Sequence, residues 1–172
     1  MELEAQSDMF MAEKYFSQDS MNLAIYGDDV YPGFIEISDN YSGTKAGNLA
    51  NYYLGIAFLR TGQFEQAIDA LNDFDGEDEV VGTIATGAKG DAYMELGDLN
   101  KAVDNYEKAA SRKENDFTTP LYLKKAAQTY ELLGEYENAV EHYKSIKEDY
   151  RKSPEASDID KYIARAESYV QN

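Results

Sequence analysis

Small, aromatic and glycine positions fall in one repeated order along the middle of the chain. A small residue is followed three positions later by an aromatic, and four after that by glycine. An aromatic or leucine comes two later, and alanine three after it. The small positions are Gly55, Gly90 and Ala127, the turn glycines Gly62, Gly97 and Gly134, and the alanines Ala67, Ala102 and Ala139. A further large residue closes each unit at Leu71, Tyr106 and Tyr143. The glycines lie 35 and then 37 residues apart. A glycine between two periodic segments predicts a left-handed cap that ends one helix and turns the chain into the next. Small residues predict close helix crossings, and the aromatics fill the space between neighbouring pairs. Such a helix pair cannot bury its apolar face alone, so the pairs are expected to stack.

The flanks read as extensions of this pattern. Residues 3–26 are expected to be helical, with Ala12, Tyr15 and Ala24 at the small, aromatic and small positions of an irregular first repeat. Ala12 and Gly55 are 43 apart, so this repeat carries an insertion, which Gly27-Asp28-Asp29-Val30-Tyr31-Pro32-Gly33 supplies as a loop. A short helix is expected at about 34–41, before Ser42-Gly43-Thr44. The N-terminal stripe Met9, Phe10, Tyr15, Phe16 packs either on its own second helix or on a partner or second copy. At the other end, 156–171 places Ile159, Tyr162, Ile163, Ala166, Tyr169 and Val170 on one helical stripe. Its opposite face is polar, as a helix that caps a stack requires.

The repeated order resembles the tetratricopeptide repeat family, whose unit is about 34 residues. Two features depart from that family. Asn51, Thr86 and Leu123 stand where it has an early Trp, and its closing Pro is missing from the first two repeats. The resemblance implies an all-α, right-handed superhelical solenoid of antiparallel helix pairs, about four repeats plus a C-terminal capping helix. Residues 1–172 then form one domain: an irregular repeat over 1–47, regular repeats over 48–82, 83–119 and 120–154, and the cap over 155–172. It also implies a concave groove lined by each repeat's first helix. By position these are Leu49, Tyr52, Ile56, Leu59 and Arg60, then Ile84, Asp91, Met94 and Glu95, then Leu121, Lys124, Gln128 and Glu131. The set begins apolar and ends polar. Some family members grip a C-terminal carboxylate with Lys, Asn and Arg in this groove. Tyr52 and Ile56 occupy the matching early positions here, so that clamp is not expected. An apolar stripe suits an amphipathic helix or extended apolar segment of a partner protein. The alternative is that the chain's own N-terminal helices cover Tyr52 and Ile56.

Charge and composition narrow the function classes. The formal net charge is −17, from 16 basic and 33 acidic residues, which argues against nucleic acid and against anionic lipid. There is no cysteine, so disulfides and thiolate chemistry are excluded. No run of about 18 apolar residues is present to span a membrane. His142 is the only histidine and reads as a surface residue. No Ser-His-Asp set can be assembled around it, and a lone His without Cys argues against a zinc site. The acidic run Asp73–Glu79 fails calcium-loop spacing, because Gly76 comes fourth and the twelfth residue is Ile84. It reads as a solvated inter-repeat loop. No catalytic residues, metal or cofactor are expected.

Within the family, Asn40–Gly47 leading into Leu49–Gly55 is similar to bacterial membrane-anchored periplasmic tetratricopeptide proteins related to the ancillary subunit of the Sec translocon. That similarity implies a periplasmic, envelope-associated scaffold held by an anchor outside these residues; a cytoplasmic location is the alternative. The expected function is to bind a protein or peptide partner. The alternative is a self-associating structural module that uses the N-terminal helix.

Overall fold

Glycine closes the first helix of each regular hairpin in the computed structural model, which describes residues 1–77 and 79–170. Gly62, Gly97 and Gly134 adopt φ of 76°, 78° and 78°. The next amide in each case reaches back to the signature aromatic: Gln63 N donates to the Phe58 carbonyl, Asp98 N to Tyr93 and Glu135 N to Tyr130, each at 2.9 Å. This bond satisfies a carbonyl that the helix end leaves open, and it requires a left-handed residue. The aromatic and the glycine are therefore backbone partners as well as packing positions.

The described residues divide into two compact units on either side of position 78. The first contains α1 (Glu2–Ser17), α2 (Met21–Tyr26), α3 (Phe34–Asn40), α4 (Lys45–Arg60) and α5 (Phe64–Asp73). The stretch 3–26, expected to be helical, is two helices. Asp19 sits between them at φ 59°, and Ser20 N donates to the Tyr15 carbonyl at 2.9 Å. Tyr15 and Asp19 stand in the same relation as Phe58 and Gly62. The first repeat is therefore regular at its turn, with aspartate where the others have glycine. A non-glycine residue in this conformation costs about 1 kcal/mol. The Arg60–Asp19 contact of 3.7 Å offsets little of that, because the Asp19 side chain is 87% exposed. Asp19→Gly is expected to raise stability by about 0.5–1 kcal/mol, read as a higher urea midpoint. An unchanged midpoint would show that the turn is unstrained.

The insertion is a built loop. Asp28 Oδ1 accepts from Val30 N at 2.8 Å and Tyr31 N at 2.7 Å, and the Tyr15 hydroxyl donates to the Asp28 carboxylate. Gly27 and Pro32 bridge its base. The loop splits the second helix of the first repeat, so α2 and α3 share its place against α1 and α4. Ile25, Phe34 and Ile37 are fully buried there. The Phe34 ring stacks on Tyr53 at 5.2 Å, and Phe16 meets both rings edge-on.

The second unit contains α6 (Glu79–Glu95), α7 (Leu99–Arg112), α8 (Thr118–Leu133), α9 (Tyr136–Asp149), a 3-10 turn (Pro154–Ala156) and α10 (Ile159–Val170). Each α-helix packs on the next. The small signature positions exist because the closing large residue lies on them. A Cβ added at Gly90 would stand 2.6 Å from the Tyr106 ring, and one at Gly55 in the first unit 2.7 Å from Leu71 Cδ2. Ala127 and Tyr143 share one buried cluster with Ile159, Ile163 and Ala166 of α10, so α10 caps the unit as expected. Tyr169 and Val170, predicted on the same stripe, are exposed instead, although the Tyr169 ring stacks on Tyr136 of α9 at 4.7 Å. The last expected cap residues, 171 and 172, lie outside the described residues. No helix among the described residues is long and apolar enough to cross a membrane.

Candidate partner-binding surface

The first helix of a repeat is packed on both sides, so its sequence is apolar on more than one face. On α4, Ala46, Ala50, Leu54, Ala57 and Phe58 form the buried face. The opposite arc carries Leu49, Tyr52, Ile56 and Leu59, all half-buried, with exposed Lys45 and Arg60 beside them. The chain's N-terminal segment covers part of this arc. Leu49 shares a cavity of about 310 Å³ with Glu2, Gln6, Met9 and Glu13 of α1. The Arg60 guanidinium lies 5.1 Å from the centre of the Phe16 ring, and Leu59 packs on the core of the unit. Tyr52 has other neighbours: its ring stands 5.6 Å from Tyr53 and 5.5 Å from Phe74, which follows α5. Burial raises the Tyr52 pKa. Of the N-terminal stripe, Met9 is buried and Tyr15 and Phe16 pack on the core, while Phe10 is 65% exposed.

In the second unit the predicted residues split into two groups. Asp91 and Glu131 are tied into the fold. Asp91 Oδ1 accepts from the Tyr106 hydroxyl at 2.7 Å and from Lys125 Nζ at 2.6 Å. Glu131 accepts from Arg165 Nε at 3.1 Å and from the Tyr143 hydroxyl at 3.0 Å. Burial, together with these carboxylates, pushes the Tyr106 and Tyr143 phenols far above their ordinary pKa, so each stays a hydrogen-bond donor. Met94 packs on the core formed by α7 and α8, and Ile84 is half-buried. Glu95, Leu121 and Gln128 are exposed, and Lys124 places its ammonium 4.8 Å from the centre of the Tyr162 ring.

Two further expectations are corrected or refined. His142 is not a surface residue: Nδ1 lies 2.9 Å from the Asn138 carbonyl and Nε2 3.2 Å from Glu107 Oε1, with Tyr130 edge-on to the ring. The carboxylate on α7 draws it inward. The start of the acidic run is clipped to α4, since Asn48 donates to the Asp75 carbonyl at 2.9 Å and accepts from Asp75 N at 2.7 Å. Asp78 of that run lies outside the described residues. Sequence reasoning missed Phe74 as a cover for Tyr52, and missed the polar face of α10 as part of any site.

Sequence profiles described as tetratricopeptide repeat match residues 49–75, 87–116 and 123–153, together half of the chain. The chain belongs to the tetratricopeptide repeat family. Among solved structures, this tetratricopeptide repeat protein is similar to MamA, with a TM-score of 0.69 and 17% identity over 99% of this chain and 90% of that one. It is also similar to a protein of Podosopora anserina assigned as a kinesin light chain with nearly identical TPR-like repeats. That match has a TM-score of 0.71 and 15% identity over 98% of this chain and 87% of the other. A singly substituted form of the same protein matches with a TM-score of 0.71 and 16% identity, over the same 98% and 87%. At these identities the likeness establishes the fold alone. No curated protein sequence matches the tetratricopeptide chain. Its repeats are of the kind that generally mediates contacts between proteins.

Proposed function

We propose that this tetratricopeptide repeat protein is a non-catalytic scaffold that holds an apolar or amphipathic segment of a partner protein against α4. The observation that carries this reading is the second apolar face of that helix, where Tyr52, beside Phe74, and Ile56 remain half-buried. Completing the burial of such side chains contributes about 25 cal/mol per Å². A tyrosine at the centre of an interface is the residue type that dominates binding when truncated. The scaffold works in the bacterial envelope, a reading supported by the resemblance of residues 40–55.

The test is a pull-down from separate envelope and cytosolic fractions of the native host. The double variant Tyr52→Ala with Ile56→Ala is expected to lose about 2 kcal/mol or more of binding, a loss of over tenfold in recovery, with an unchanged circular dichroism spectrum. Unchanged recovery would sink the groove reading. Partners found only in the cytosolic fraction would sink the envelope location.

A further inference from the structure

We propose that the last helix of the chain builds an anion-recognition site for an acidic peptide segment, centred on Tyr162. Lys124 of α8 and Lys161 and Arg165 of α10 converge on this one ring, with their charged groups 4.8, 6.0 and 5.0 Å from its centre. The ring is half-buried and backed by Tyr143 at 5.4 Å, which fixes its position. Ring faces attract cations, but three around one ring also repel one another.

Of the three cations, nearby carboxylates pair only with Arg165. Asp160 is paired with Lys147 at 2.6 Å, Glu167 with Lys144 at 2.7 Å, and Glu131 with Arg165 at 2.5 Å. Among the described residues, Lys124 and Lys161 have no carboxylate within ion-pair range. The arrangement therefore leaves two ammonium groups beside a guanidinium already held in place by Glu131.

Charge distribution along the chain makes this spot more distinctive. Of the sixteen lysines and arginines only Lys14, Lys45 and Arg60 fall in residues 1–77; the other thirteen lie beyond. In a chain of net charge −17 a cluster neutralised only at Arg165 attracts carboxylate groups locally while the remaining surface repels a bulk polyanion. That favours a short acidic segment, whose few carboxylates can face the lysines and whose apolar groups can rest on Tyr162. Tyr162, Lys161 and Arg165 lie beyond the repeats that the family profiles match, while Lys124 belongs to the last of them.

This inference rests on the reading of the protein as a partner-binding scaffold, but it uses different residues. The probe is a fluorescein-labelled Glu-Glu-Leu-Glu-Glu-Leu peptide, measured by anisotropy on the full chain, with its Gln-Gln-Leu-Gln-Gln-Leu counterpart as comparison. The acidic peptide is expected to bind saturably and to weaken as salt is raised. Lys124→Gln with Lys161→Gln should cost about tenfold or more in affinity, as should exchanging Glu for Gln in the peptide. Neither lysine holds a carboxylate, so the double variant keeps its fold, checked by its urea midpoint. Equal binding of the two peptides, an unaffected lysine variant, or displacement by a few equivalents of inorganic phosphate would overturn the proposal. Retained binding in the Tyr52→Ala, Ile56→Ala protein separates this outcome from failure of the groove at α4.

Discussion

Replacing Tyr143 by alanine should cost the second unit about 3–5 kcal/mol, the range for truncating a large buried aromatic. Tyr143 is 0% exposed and is the largest fully buried side chain of the described residues. Its position on α9 joins three helices. The ring packs in one cluster with Ala127 of α8 and Ile163 of α10, its hydroxyl donates to Glu131 at 3.0 Å, and it meets the Tyr162 ring at a tilt, 5.4 Å between centres. Removing the ring opens a void that α8 and α10 close only by moving apart from their other contacts. Tyr143→Phe separates packing from hydrogen bonding. It removes one donor from Glu131, which keeps the bidentate pair with Arg165, so the cost should be about 1 kcal/mol. Urea unfolding followed by circular dichroism reads both variants. A Tyr143→Ala loss no larger than that of Tyr143→Phe would show that the ring is not what holds α10 in place.

The regular repeats were legible because their signature residues touch one another. Gly90 is small since Tyr106 lies on it, and Gly97 is glycine since the Tyr93 carbonyl must receive the Asp98 amide. Spacing alone conveys such local requirements. The break at Asp19 was not legible by the same rule, because aspartate there does what glycine does elsewhere. Gly87 was also missed. It falls outside the repeated order, yet an added Cβ would overlap the Tyr122 ring of α8, a contact between helices about 35 residues apart that no local spacing encodes.

The candidate surface was legible by helix face but not by occupancy. Position along α4 correctly separates Leu49, Tyr52, Ile56 and Leu59 from the buried face. Whether a face is filled depends on residues distant in sequence. Phe16 lies under Arg60 from 44 positions away, and Arg165 engages Glu131 from 34. Asp91 and Glu131 thus pass from groove candidates to internal anchors, while Lys124 gains α10 as a neighbour. Polar residues carry no periodic mark of their partners, so the polar half of the surface was the half that sequence described least well.

Gly47→Ala should destabilise the first unit, although helix propensity predicts the opposite sign. Gly47 lies within α4, where alanine is favoured over glycine by about 1 kcal/mol. Its φ is ordinary, so no backbone strain enters. What opposes the substitution is the turn that joins α3 to α4. An added Cβ would stand 2.5 Å from the Tyr41 carbonyl carbon and closer still to its oxygen. That oxygen cannot rotate away, because Thr44 N at 2.9 Å and Thr44 Oγ1 at 2.8 Å both donate to it. Thr44 Oγ1 in turn accepts from Gly47 N at 3.0 Å, which caps the helix, and the Tyr41 hydroxyl is bound to Asp8 at 2.7 Å. Relief therefore requires backbone movement that breaks the cap and lifts α3 from α4. Overpacking of this kind costs about 1–3 kcal/mol, and loss of the cap adds about 1 kcal/mol. These together outweigh the propensity gain, so the net expectation is a loss of about 1–3 kcal/mol. Gly43→Ala is the comparison, since nothing lies within 4 Å of a Cβ added there. It should leave the urea midpoint nearly unchanged. A Gly47→Ala protein as stable as Gly43→Ala would mean that the turn yields freely, and that the contact between Tyr41 and α4 does not fix how the first repeat meets the second.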